Sequence, residues 1–337
     1  MILIAEDKKQ FKANLHCHSN MSDGKFSPAD LKRIYKDKGY SVLAITDHEY
    51  PFDHSKMSEE DFLMITGYEA YIRPSPDCTY DYYGSEIHIN LFAKEPHNTS
   101  YVNYVPVCCK YIKDAEYLAS LKKVGSGEVR RYTPEYINSF VEEAKRAGYL
   151  ASHNHPVWSL ENESDIMRYE GFFSMEMCNY GCYIGGVPEY NSALYNKLLR
   201  AGKRIFCHSA DDNHNHQPLD SASSDSFGGF TMILAEELEY SSVIKALETG
   251  NFYSSMGPII SSLEIENGKA KIKTSPATQI SMHYGAKAPR RVTAHTDSLC
   301  EAEFEIPKEA AFVRFSVMDS ARRFADTRGF FRDEFEA

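Results

Sequence analysis

The feature that most constrains this chain is a change of hydrophobic period at Gly257-Pro258. Before that point short apolar runs alternate with helical patterns, the signature of strand–helix units and a parallel sheet. Residues 11–16 read as a strand, and Ser27-Pro28 supplies an N-cap and a first-turn proline for a helix that Gly39 ends. Further apolar runs lie at 41–46, 62–71, 87–93, 150–153, 172–178, 204–208 and 230–234. Thr133-Pro134 repeats the cap-plus-proline signal, and helical patterns recur near 188–201 and 240–249. Seven or so repeats in about 255 residues predict an α/β barrel. Beyond Gly257-Pro258, residues 263–266, 280–284, 304–306 and 312–317 alternate apolar and polar side chains, as antiparallel strands with one wet face do. The expected division is therefore a barrel at 1–256 and a small all-β, sandwich-like domain at 257–337.

Charge and cysteine usage narrow the class of protein. The 337 residues carry 37 basic and 48 acidic side chains, and a net charge of -11 argues against a protein whose task is to hold a nucleic-acid backbone. No apolar run approaches the roughly 20 residues of a membrane helix, and the start, MILIAED, lacks a basic leader. A cytoplasmic protein without membrane attachment is expected. The eight cysteines form no CxxC pair, so reduced thiols are the default expectation. Oligomeric state is not readable.

The histidines carry the chemical signal, because 11 of 13 precede residue 217 and several stand two apart. His, Asp and Glu fall at or just past the carboxyl ends of the expected strands, the rim where parallel α/β barrels build their sites. His16-Cys17-His18 closes the first strand, and its i, i+2 spacing on extended chain points both imidazoles to one side. Asp23 follows in Ser22-Asp23-Gly24; Thr46-Asp47-His48 closes the second strand and Glu69, in Gly67-Tyr68-Glu69-Ala70, ends the third. His88 sits between isoleucines, His153-Asn154-His155-Pro156 ends the next strand, and Asp212-Asn213-His214 repeats the two-residue step. A register slip would move ligation from Asp212 to Asp211; the step to His214 favours Asp212. Lys25, Arg73, Arg130 and Arg131 are cations available to a phosphate, with nothing to rank them. His54, His97, His283 and His295 read as solvated.

In this order the motifs His16-x-His18, Ser22-Asp23-Gly24, Thr46-Asp47-His48, Gly67-x-Glu69, His88, His155-Pro156 and Asp212-x-His214 resemble the PHP (polymerase and histidinol phosphatase) metal-dependent phosphoesterases, over about residues 10–255. The resemblance implies a distorted (β/α)7 barrel holding two or three divalent ions. It implies one ion on His16, His18, Glu69 and Asp212, a second on Glu69, His88 and His155, and a third on Asp23, His48 and His214. Six imidazoles with three carboxylates suit Zn, Mn or Fe better than Ca or Mg. The expected reaction is attack of a metal-bound hydroxide on the phosphorus of a phosphomonoester or phosphodiester, the substrate being a small metabolite or nucleotide. Asp47 and His153 are the candidates for orienting ligands or moving protons. Two other readings stand beside this one: an amidohydrolase-type C–N hydrolase, and a metal-stabilised binding or regulatory module.

Overall fold

The computed structural model describes residues 1–335 as a mixed α/β protein with a sheet-rich C-terminal region. The helices form where the caps stand. Ser27 accepts from the Asp30 amide to start Pro28–Asp37, and Thr133 accepts from the Tyr136 amide to start Pro134–Arg146. The latter buries Ile137, Phe140, Val141 and Ala144, one apolar stripe of an otherwise polar helix.

The expected parallel barrel is not what the strands build. Among the described residues no closed barrel occurs; the strands fall into separate sheets. One five-stranded sheet runs in the order Phe206–Ala210, Ser174–Asn179, Tyr149–His153, Ile87–Ala93, Gly67–Ile72. Its first two pairings are parallel, but Ile87–Ala93 lies antiparallel to both neighbours. The reason is the connection: the chain returns from Ile72 to Ile87 without a helix, and a short return produces an antiparallel pair rather than a crossover.

The run at 62–71 is likewise two strands, Leu63–Ile65 and Gly67–Ile72, in different sheets. The chain changes sheet at Thr66-Gly67, where a Cβ on Gly67 would stand 2.6 Å from the Leu91 carbonyl oxygen. Among the described residues, single bridges join the two sheets there and at the opposite edge, His48 to Glu69 and Cys17 to Asn213. Both seams are bordered by candidate donor residues.

The second sheet carries Gln10–Asn14, Val42–Ala44 and Leu63–Ile65 in parallel, with Phe230–Leu234 antiparallel to Gln10–Asn14. It then continues through Phe252–Ser255, Phe324–Thr327, Phe312–Met318 and Gln279–His283 to Arg290–Thr293. Backbone pairing thus passes residue 257 without a break. A four-stranded sheet, Ile2–Ile4, Ile260–Glu266, Lys269–Ala277 and Leu299–Glu305, packs its buried face against this extension. The period-two alternation expected here is visible in Lys269–Ala277, where Ala270 and Ile272 are buried between exposed lysines and meet Ile280, Phe315 and Val317 in one core.

The reduced-thiol expectation fails at one pair. Cys78 and Cys108 form a disulfide with Cα atoms 5.5 Å apart, because the segments after Ile72 and Val105 pack together at the mouth of the cavity described below. No helix among the described residues is long and apolar enough to cross a membrane.

Candidate metal centre

Strand ends and the turns beyond them bring the nine expected donors to the floor of one cavity of about 680 Å³ and its immediate wall. His16 Nε2 lies 3.1 Å from Asp212 Oδ1 and 3.2 Å from both Glu69 Oε1 and His18 Nε2. His18 Nε2 lies 3.0 Å from Asp212 Oδ1, while its Nδ1 faces Asp23 at 3.8 Å. Glu69 is the hub: its Oε1 lies 3.2 Å from His88 Nδ1 and 3.4 Å from His155 Nε2, and its Oε2 lies 2.9 Å from His48 Nδ1. Asp23 stands between His48 Nε2 and His214 Nε2, 3.5 Å from each.

Four overlapping groups able to hold a cation result among the described residues: His16, His18 and Glu69; His16, His155 and Asp212; His48, Glu69 and His88; and His18, Asp23, His48 and His214. The partition differs from the one the resemblance implies. His155 falls in with His16 and Asp212, His48 is shared between two groups, and His18 offers one nitrogen to each side.

Two observations show that this donor set fits divalent ions. His18 Nδ1, His48 Nδ1, Glu69 Oε2 and both nitrogens of His88 are buried without a hydrogen bond of good geometry. Leaving such atoms unmatched costs roughly 1–3 kcal/mol each, so the arrangement needs a ligand to complete it. The charges agree. Burial works to raise the Glu69 and Asp212 carboxyls, but neighbouring imidazoles, His16 foremost, outweigh it and hold both well below the usual range. Burial also opposes ionisation of Asp23, yet His48, His18 and His214 hold it at about 2. Burial would lower His88, but Glu69 and Glu86 raise it to about 10.

The backbone is bent to make these contacts. His155 and Asp212 have φ of +23° and +53°, in the left-handed region that non-glycine residues rarely occupy. Asp212 is held there by its amide donating to the His16 carbonyl at 2.9 Å. Its neighbour Asp211 faces away, accepting from the Phe227, Gly228 and Gly229 amides and the Tyr35 hydroxyl.

Asp47 and His153 are placed differently. Asp47 accepts from the Ser19 amide at 2.8 Å and from the Ser19 and Ser22 hydroxyls at 2.6 Å each, so it braces the loop between His18 and Asp23 and leaves the cavity untouched. His153 is not brought to the centre. Its Nε2 bonds Glu161 at 2.7 Å and its ring packs on Tyr169 and Phe172, because the strand ends at His153 and the turn at His155 re-aims the chain. Of the four free-standing cations considered, Arg73 lines the cavity and Arg130 is buried against Glu49. His54, expected in solvent, is buried.

Several supporting residues escaped the sequence reading. Glu176 Oε1 lies 2.8 Å from His16 Nδ1, and its Oε2 accepts from the His155 amide at 2.8 Å and the Asn179 side chain at 2.9 Å. Asn179 also donates to Asp212, and Asn154 donates to Glu69 at 2.7 Å. The Ser159 hydroxyl lies 3.1 Å from His155 Nδ1. The available signal for Glu176 was a lone carboxylate inside the apolar strand Ser174–Asn179.

An α/β protein with imidazoles and carboxylates gathered at strand ends beneath an open cavity is equipped to bind divalent metal ions. Residues 14–158 match the PHP domain family. No curated protein sequence matches the chain. Among solved structures, a two-domain protein from Bacteroides vulgatus containing a predicted PHP-like metal-dependent phosphoesterase is 14% identical, with 94% of this chain and 92% of that chain covered and a TM-score of 0.47. A candidate metal-dependent phosphoesterase from Bifidobacterium adolescentis is 16% identical, covering 63% of this chain and 91% of that one, TM-score 0.39. An amidohydrolase from Chromobacterium violaceum with bound sulfate and no metal is 14% identical, covering 60% and 87%, TM-score 0.39. These likenesses are loose, and the match to the PHP domain family lies within residues 14–158.

Proposed function

We propose that the protein is a metal-dependent phosphoesterase that hydrolyses a phosphomonoester or phosphodiester of a small metabolite or nucleotide. The observation that carries this reading is the set of overlapping donor groups around Glu69 and Asp212 at the floor of a cavity, inside a PHP domain and its continuation. Two or three ions of the Zn, Mn or Fe type would be held by His16, His18, Asp23, His48, Glu69, His88, His155, Asp212 and His214. Bound there, such ions supply Lewis acidity and acidify coordinated water towards neutral pH.

The chain's own residues do the positioning. Glu176 on His16 Nδ1, Ser159 beside His155 Nδ1 and Glu86 near His88 Nε2 leave the opposite nitrogen of each ring turned towards Glu69. Asp47 fixes the Asp23 loop through Ser19 and Ser22. All nine donors lie within residues 1–256, so the chemistry is assigned to that part and none to 257–337. Metal analysis with hydrolysis assays on generic phosphate esters tests the reading. Bound transition metal with chelator-sensitive phosphate release is expected; no metal, and no activity after Mn, Zn or Fe is supplied, would overturn it.

A further inference from the structure

The group of His18, Asp23, His48 and His214 is the most exposed of the four cation-holding groups, and Asp23 is its one carboxylate. That carboxylate faces three imidazoles at once: Oδ1 looks to His18 Nδ1 and His214 Nε2, and Oδ2 to His48 Nε2. Its side chain is 34% exposed and stands in a loop, so the terminal torsion, which has only broad preferences of its own, turns freely unless a neighbour holds it. Two hydroxyls lie within reach. Ser22 Oγ is 3.1 Å from Oδ1, but a hydroxyl has one proton and the contact of Ser22 with Asp47 is shorter, at 2.6 Å. The other is Tyr111, which donates to Oδ2 at 3.2 Å from 88 positions further along the chain.

The Tyr111 ring also lies nearly parallel to the His48 imidazole, at 22° and 6.1 Å between centroids. One side chain thus touches two of the four donors of this group. The segment that bears it is anchored on both sides: Cys108, Cys109 and Ile112 are buried, Cys108 is bonded to Cys78, and the Cys108 carbonyl accepts from the Tyr71 hydroxyl at 2.8 Å. Tyr111 itself lines the cavity and joins no apolar cluster among the described residues. A phenol that fills no core and places its O–H on a donor carboxylate acts on the site rather than on the fold.

We infer that Tyr111 is the positioning residue of this group. Its hydroxyl fixes the rotation of Asp23 that turns one oxygen to His48 and the other to His18 and His214, and its ring steadies His48. The inference rests on the reading of these donors as a metal centre and is independent of the reaction assigned to it.

The metal-free protein is titrated with zinc against a competing chelator, and the bound ions are counted by elemental analysis. Tyr111→Phe keeps the ring beside His48 and removes only the hydroxyl. It is expected to weaken one step of the titration by about tenfold, the lower end of the usual effect of losing a partner behind a ligand. The other steps and the melting temperature of the metal-free protein are expected to stay where they are. Asp23→Asn identifies the step, and in its background Tyr111→Phe should change nothing further, because the two residues act through one carboxylate. Tyr111→Ala, which strips the ring from His48 as well, should weaken the same step more. A loss spread evenly over every step, together with a lowered melting temperature of the metal-free protein, would overturn the inference, being the mark of a loosened segment. Coincident titrations of the parent and Tyr111→Phe would overturn it alone and spare the metal centre, whereas a parent protein that takes up no zinc would overturn both.

Discussion

His16 and Glu176 are joined by a buried contact of 2.8 Å between Nδ1 and Oε1, and the two residues are 160 positions apart in the chain. Glu176 thereby sets which nitrogen of His16 is free to face Glu69 and Asp212. Its second oxygen holds the His155 amide, so one carboxylate orients two donors.

Glu176→Gln keeps the size of this side chain and removes its charge. Metal affinity is expected to fall by about 10–100-fold, the usual effect of losing the partner behind a ligand imidazole. Metal titration followed by elemental analysis checks it. Unchanged stoichiometry and affinity would mean that Glu176 is structural filler.

Arg130 is the cation that most changed its meaning on folding. Its guanidinium grips both oxygens of Glu49, which also accepts from the Tyr71 amide and the Tyr101 hydroxyl, and all of these groups are buried. Glu49 has φ of +53° and directly follows His48, so the pair secures the turn that presents a donor. Arg130→Ala leaves a buried carboxylate without its cation and is expected to cost about 3–5 kcal/mol. Denaturant unfolding measures this directly. A loss under about 1 kcal/mol would show that water reaches Glu49.

Most donors were legible because they stand at or beyond strand ends, where hydrophobic runs stop; Glu69 and His88 lie within Gly67–Ile72 and Ile87–Ala93, where each is the lone carboxylate or imidazole in an apolar run. Fold direction was not legible in the same way. The apolar run at 87–93 looks identical whether parallel or antiparallel, and only the short return from Ile72 decides it. The break at Thr66-Gly67 depends on the Leu91 carbonyl, a contact no local pattern announces. Cys78 and Cys108 are 30 residues apart with no paired motif, and Glu176 means nothing until His16 is opposite it. Local pattern reported the strands and their ends; partners across the fold came only from packing.

Gly24 is required by a close approach. A Cβ there would stand 2.1 Å from the His18 carbonyl oxygen and 2.9 Å from the Ser19 amide nitrogen, both backbone atoms that cannot swing aside. Gly24→Ala is expected to push the Asp23 loop off His18, with about 1–3 kcal/mol of overpacking strain. The group of His18, Asp23, His48 and His214 should lose its ion first. Elemental analysis showing full metal content in a well-folded variant would contradict that order.

His54 makes acid stability testable away from the donors. Its ring is buried near Phe52, both nitrogens lack a partner, and burial lowers its pKa to about 4. The unfolded chain binds this proton near the ordinary histidine value of about 6.5, whereas the folded chain resists it until far lower pH. Unfolded molecules therefore carry more protons between these values, and stability falls as pH drops from about 6.5 towards 4. The expected loss from this one group approaches 3 kcal/mol, at about 1.4 kcal/mol per pH unit. His54→Phe fills the same volume without a titrating group, so its melting temperature should decline less over that range than the parent's, while the two converge above pH 7. Protons that displace metal act on both proteins alike, so the difference between the two melting profiles isolates His54; coincident profiles would show that its ring reaches water in the folded state.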